Sequence, residues 1–291
     1  MKKIYLKARA KINLCLEVLN KREDNYHNIK SVFQKINLYD EIFIEKNDSN
    51  EFKLKTNIES LNNEENIIYK VYLKLKEKYK KITGINVILN KKIPMQAGLG
   101  GGSTDCARFI VGMNKLFDLK LSKEEIEIIG KSLGADVVPC LYNNAVLAEG
   151  IGDQITRINT NFKYYIVIVK PKICCNTKEM YMLIDKEKNI KKIDLAENII
   201  NGLEQSNIEL ISENLYNAFE KVQLEYKTIE YIKMELIKNG AIGSLLTGSG
   251  SCVYGIFKEK SIAKKAYDKL KTNFETYICT SYNLKRSEYF V

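Results

Sequence analysis

Apolar residues recur along this chain with two periods, and the switches between them mark out its elements. Partial alternation with β-branched and aromatic residues predicts strands over 3–9, 12–19, 32–46 and 51–56. Ile67, Val71, Leu73 and Leu75, set among lysines, predict a helix over 66–81. Ile85, Val87 and Leu89 alternate in a strand over 85–93, and a helix then opens at 103–105 and runs on through Ala107, Phe109, Ile110 and Met113. Ser122 followed by Glu125 has the form of a capping box at the head of a helix over 122–133. Residues 144–158 read as a strand pair turning at Gly150-Ile151-Gly152.

The pattern then restarts. A short apolar strand over 164–170 precedes a largely helical stretch, 177–239. Strands over 241–247 and 251–257, a helix over 260–271 and a strand over 275–282 follow. The class is α+β: two sheet-containing halves, 1–160 and 161–291.

Composition narrows this only a little. A hydrophobic fraction of 45% beside 28% charged residues is ordinary for a globular protein. The longest apolar run, 164–169, is far short of the roughly 20 residues that span a bilayer, so no membrane association is expected. Lys2 and Lys3 imitate a secretory start, but Asn13 and Glu17 interrupt the apolar stretch behind them, and a cytoplasmic protein is expected. Seven cysteines without a Cys-x-x-Cys pair, and a single histidine, point to reduced thiols and no metal site of their own. The net charge of +10 favours anionic partners, but it is dispersed and forms no basic tract.

Glycine is concentrated where it matters. In 94–105, Pro94-Met95-Gln96-Ala97-Gly98-Leu99-Gly100-Gly101-Gly102-Ser103-Thr104-Asp105, four glycines fall within five positions between a strand and a helix. Glycine lets backbone N–H groups point inward with no Cβ in the way, and the helix start adds unpaired amides and the positive end of its dipole. Ser103 and Thr104 add hydroxyls for a phosphate oxygen. The loop is not a Walker A sequence, which needs a lysine this one lacks, and Gly-x-Gly-x-x-Gly fails at Ser103. A flexible hinge is the alternative reading.

Pro94-x-x-x-Gly98-Leu99-Gly100-Gly101-Gly102-Ser103 resembles the phosphate loop of the galactokinase, homoserine kinase, mevalonate kinase and phosphomevalonate kinase (GHMP) superfamily. Five further segments run in the superfamily's order: Ala10–Leu14, Tyr26-His27, Leu133–Val137, Ala148–Gly152 and Leu246–Gly250. The resemblance implies a two-domain GHMP kinase fold, with an N-terminal domain like the second domain of ribosomal protein S5 and an α/β C-terminal domain. It implies ATP with Mg2+, and the Tyr26-His27 pair is similar to the branch whose small-molecule acceptor carries a cytidine diphosphate.

Residue by residue, the resemblance makes Asp136 the general base and Lys11 its cationic partner. It places Pro94, Gly98 to Gly102, Ser103 and Thr104 on the nucleotide phosphates and Asn66 beside the adenine. It gives Tyr26, His27 and Tyr181 to the pyrimidine, and Asn13, Thr177, Gly248 and Ser249 to the rest of the acceptor. Each has a plainer alternative: a turn for Asp136, a solvated lysine for Lys11, an N-cap for Asn66, a surface turn for His27. One departure stands out, since the superfamily branch places proline directly after Gly-Ala-Asp-Val and this chain has Val138-Pro139. A basic RNA-binding protein is the competing class, because the implied N-terminal fold also occurs in ribosomal proteins. Such a protein has no use for the combination of Lys11, the loop and Asp136, so no nucleic-acid partner is expected. A monomer or weak homodimer is expected.

Overall fold

A computed structural model describes residues 1–187, 194–222 and 226–284. Two long strands, β1 (Lys3–Lys21) and β2 (His27–Lys46), pair antiparallel and form the spine of the molecule. The segments 3–9 and 12–19 are thus one strand. Its alternation is lost because from Ala10 to Val18 both faces are covered, so polarity no longer reports direction. Register shifts at Arg9/Lys11 and Asn13/Cys15 mark bulges flanking the positions that carry chemistry.

β3 (Phe52–Thr56), α1 (Ile67–Lys78) and β4 (Ile85–Asn90) follow, then α2 (Gly101–Phe117), α3 (Lys123–Lys131) and the single turn α4 (Val137–Cys140). β5 (Val146–Glu149) pairs with β2, and β6 (Gln154–Arg157) pairs with β5. The main path of this sheet runs β3-β4-β2-β1. One face of it packs on the helices through Ala8, Ile42, Ile44, Val87, Phe109, Ile110 and Met113. The capping box is present in full: Glu125 N–H donates to the Ser122 hydroxyl, and Ser122 N–H donates to the Glu125 carboxylate.

The second half builds a four-stranded antiparallel sheet from β7 (Tyr165–Lys170), β9 (Gly243–Leu246), β10 (Val253–Phe257) and β11 (Glu275–Thr280), in the order β11-β7-β10-β9. The stretch 177–239 is not continuous helix. It divides into α5 (Thr177–Lys186), α6 (Ala196–Glu204), α7 (Ile208–Glu213) and α8 (Tyr226–Lys238), with α9 (Lys260–Leu270) later; 188–193 and 223–225 lie outside the described residues. Asn176 and Asn207 cap two of these helices, each accepting from backbone amides two or three residues on.

Between α7 and α8 lies a strand the periodicity does not show, β8 (Tyr216–Asn217). It pairs parallel with Cys15 and Leu16 of β1, so the second half adds a strand to the first sheet. A second apolar core continues the link, joining Ala10, Ile12 and Leu14 of β1 to Ile166, Ile168, Tyr254 and Ile256.

Candidate active site

A cleft of about 620 Å³ opens between the two sheets, and the glycine loop forms its floor. Gly98 has φ +72°, and a Cβ there would lie 1.9 Å from the Thr247 carbonyl oxygen, so only glycine fits. Gly100 (φ +67°) is the N-cap of α2 and brings no side-chain acceptor to the helix amides. A Cβ on it would meet the Lys11 side chain at 3.1 Å. The first intrahelical bond runs from Thr104 N–H to the Gly100 carbonyl. The amides of residues 101–103 are therefore the ones α2 leaves for an anion, at the positive end of a 17-residue helix.

Lys11 and Asn13 sit two residues apart on β1, so both side chains point to the cleft side of the sheet. The Lys11 backbone N–H donates to the Leu99 carbonyl at 3.0 Å, which ties β1 to the loop. Its ammonium, on a side chain only 3% exposed, donates to Asn13 Oδ1 at 2.8 Å and stands 3.7 Å from Asp136 Oδ2. A cation so buried needs a partner, and Asp136 and Asn13 supply it.

Asp136 is the residue before α4, yet its carboxylate makes no cap bond and remains 44% exposed on the cleft side. Pro139 falls in the first turn of α4, where a missing N–H costs nothing, so the displaced proline leaves Asp136 in place. Residues 125 positions apart in the chain thus meet beside the anion cradle.

One expected contact with a bound molecule, Thr104, is corrected, while Asn13 lines the cleft and also serves the fold. The Thr104 hydroxyl is buried and donates to the Arg9 carbonyl at 2.8 Å, so it faces the fold and not the cleft. Asn13 is fully buried, and its polar atoms are already committed. Nδ2 donates to the Ser31 hydroxyl, while Oδ1 accepts from Lys11 and from Gly248 N–H at 3.0 Å. Its backbone N–H donates to Thr247 Oγ1, and its carbonyl accepts from the Tyr254 hydroxyl. Asn13 is the joint between β1 and the glycine turn 247–251. Gly248 and Ser249 of that turn line the cleft, with Ser249 Oγ 2.8 Å from Thr177 Oγ1.

Asn66 is the N-cap of α1, accepting from Ile68 N–H at 3.0 Å, and also lines the other end of the cleft. Pro94, Leu99, Gly101, Gly102 and Ser103 line the cleft floor.

The aromatic end is only partly assembled. His27 is buried and stacks on Tyr181 at 4.9 Å with the rings 17° from parallel. Its Nε2 is 2.7 Å from Asp185 Oδ1, and Asp185 also takes Lys21, whose bond, followed by that of His27, holds the carboxyl below the usual range. Tyr181 lines the cleft and meets Phe219 edge-on at 5.0 Å. Tyr26 is 57% exposed and does not line the cleft. Sequence reasoning missed Phe219, Asp185 and a buried Asp40–Lys91–Asp105 cluster under the loop; Asp105 at the end of the glycine segment was the one hint of the last.

Models of the GHMP kinases N-terminal domain and the GHMP kinases C-terminal domain match residues 66–144 and 196–276. A crystal structure of 4-(cytidine 5'-diphospho)-2C-methyl-D-erythritol kinase superposes with a TM-score of 0.85 at 23% identity, covering 97% of this chain and all of the other. Homoserine kinase from Cytophaga hutchinsonii superposes at 0.73 and 18% identity over 97% of this chain and 95% of its own. The fold is that of the GHMP kinases, and the two domain models together with the relatives below make the chain a member of that superfamily.

Among curated relatives, the 4-diphosphocytidyl-2-C-methyl-D-erythritol kinase of Alkaliphilus oremlandii is 40% identical over 97% of this chain and 98% of its own. That of Thermoanaerobacter pseudethanolicus is 43% identical over 93% of each. Within the superfamily, the chain belongs to the 4-diphosphocytidyl-2-C-methyl-D-erythritol kinase family.

Proposed function

We propose that this chain transfers the γ-phosphoryl group of ATP to the 2-hydroxyl of 4-diphosphocytidyl-2-C-methyl-D-erythritol, a step of the non-mevalonate isoprenoid pathway. The observation that carries the reading is the meeting of Lys11 and Asp136 at 3.7 Å beside the uncapped start of α2. Amides 101–103 hold the nucleotide phosphates, and the acceptor hydroxyl lies against Asp136. As its oxygen bonds to the γ-phosphorus, its proton passes to Asp136, and the bond to the bridging oxygen breaks to release ADP. Lys11 orients Asp136 and stabilises the charge that develops on the transferring group. Catalysis is then mostly positioning and charge neutralisation, which a loose transition state asks for.

Mg2+ accompanies ATP in this reading. Among the described residues no group of three or more His, Cys, Asp or Glu stands ready for a metal ion. A Mg2+ ion bound with ATP would be held largely by the phosphate oxygens and water, with the Ser103 hydroxyl on the cleft floor as a protein oxygen within the same site, and would neutralise charge on the transferring group. The pyrimidine is read by His27 and Tyr181 with Tyr26 folding over it, Thr177, Gly248 and Ser249 meet the diphosphate and polyol, and Asn66 stands by the adenine. We read 1–160 and 161–291 as the two units, acting in the cytoplasm as a monomer or weak homodimer. Among the described residues no helix is long and apolar enough to cross a membrane.

A coupled ADP assay with this cytidyl substrate, mevalonate, homoserine and galactose tests the assignment. ADP should form with the first alone; equal release with mevalonate or homoserine overturns it. His27→Ala should raise KM for the cytidyl substrate about tenfold or more with a smaller change in kcat, since stacking on a base is worth about 1–3 kcal/mol. An unchanged KM removes His27 from the pyrimidine site.

A further inference from the structure

We propose that Asp105 works as a neutral carboxylic acid beside the buried Lys91–Asp40 ion pair, and that this keeps negative charge from building up beneath the floor of the nucleotide cleft. The inference rests on the kinase reading and adds positioning residues to it.

Three elements meet at this cluster: Asp40 from β2, Lys91 just after β4, and Asp105 in the second turn of α2. All three side chains are at most 5% exposed, and Lys91 and Asp105 line the cleft. The Lys91 ammonium is bonded to Asp40 Oδ2 and lies 2.5 Å from Asp105 Oδ2. It also lies directly beneath the loop, since a Cβ on Gly101 would be 3.4 Å from it.

The two carboxyls are not equivalent. Asp40 is fully used as an acceptor, taking Lys92 N–H and Ile93 N–H on Oδ1 as well as Lys91 on Oδ2. Asp105 Oδ1 is buried with no protein donor among the described residues. An ionised oxygen left so is strongly disfavoured, and one ammonium balances one carboxylate only. Two ionised acids would leave a net negative charge beside amides that must hold a triphosphate.

Burial pushes the Asp105 carboxyl well above the usual carboxylate range; Lys91 draws it down and Asp40 raises it further. Burial works against the Lys91 charge too, and Asp105 and Asp40 override it, so the ammonium persists. The other ionisable groups that feel the cluster are Lys92 and Tyr277 of β11, through Asp40, and the buried Cys106 thiol, through Asp105.

The sign follows. A raised Asp105 loses its proton as pH climbs, the floor gains a negative charge, and ATP is held less tightly. Titration calorimetry with ATP on the full chain, carried upward in pH as far as the fold stays intact, should show affinity falling about tenfold or more in the wild type as Asp105 loses its proton. Asp105→Asn, a neutral isostere, should hold ATP within about twofold of the wild type near neutrality and lose the alkaline fall. It should also remove the infrared band of a protonated carboxyl, a signal that a merely structural role leaves untouched. Asp105→Ala, with thermal unfolding checked, should weaken ATP binding and raise its KM more than it changes kcat. If Asp105→Asn binds ATP as poorly as Asp105→Ala, or the wild type shows no alkaline fall, the ionised carboxylate is what the fold needs and the inference is wrong. A wild type that binds no ATP at any pH instead removes the kinase reading beneath it.

Discussion

Asp136→Asn should lower kcat by about 10²–10⁴ while leaving ATP binding within about twofold. The side chain is half exposed and makes no cap bond to α4, so nothing in the fold leans on its charge apart from Lys11. The amide is nearly isosteric and Asn13 still accepts from Lys11, so the fold should persist, with thermal unfolding checked because Lys11 loses its charged partner. What disappears is the acceptor for the hydroxyl proton. Steady-state kinetics with both substrates, paired with ATP calorimetry, separate the two effects. Retention of more than a tenth of kcat removes Asp136 from the proton-transfer step.

Lys11→Met is expected to cost about 10² or more in kcat. Its stem runs past Gly100 and its ammonium lies 4.9 Å from the Phe33 ring centroid, so a methionine of similar length occupies the same channel. Asn13 Oδ1 keeps the Gly248 N–H, which limits the damage to the fold. The decisive measurement is the double variant. If Lys11 and Asp136 act as one unit, Lys11→Met/Asp136→Asn should be about as slow as the slower single variant. Losses that simply multiply place the two residues in separate roles.

Much of this was legible in the chain itself, and the failures have a common cause. The glycine floor, the capping box at Ser122 and the alternation of β4 are local signals, and the structure reproduces each of them. β1 read as two strands because nine consecutive positions, Ala10 to Val18, are buried whatever their polarity. β8 is two residues long, too short for any period, and exists only because an edge of β1 is there to receive it.

The same holds for side chains. Asn13 and Lys11 share a motif, but only the arrival of Gly248 and Thr247, more than 230 residues later, decides that Asn13 joins elements while Lys11 faces Asp136. Thr104 looks like its neighbour Ser103 in sequence; helix geometry turns one hydroxyl inward to Arg9 and leaves the other on the cleft. Asp40 and Lys91 carry no motif, and Asp105 only closes the glycine segment. Charged residues scattered over 65 positions read as solvated until the fold buries them together.

The stitching around Asn13 governs how the crevice can open. Bonds from one asparagine reach the turn at 247–248 and strand β10, and the Gly98 backbone is wedged against the same turn, so the base of the crevice behaves as a keel. A keel of that kind cannot spread. Any widening of the crevice therefore falls to its walls, α1 on one side and α5 on the other.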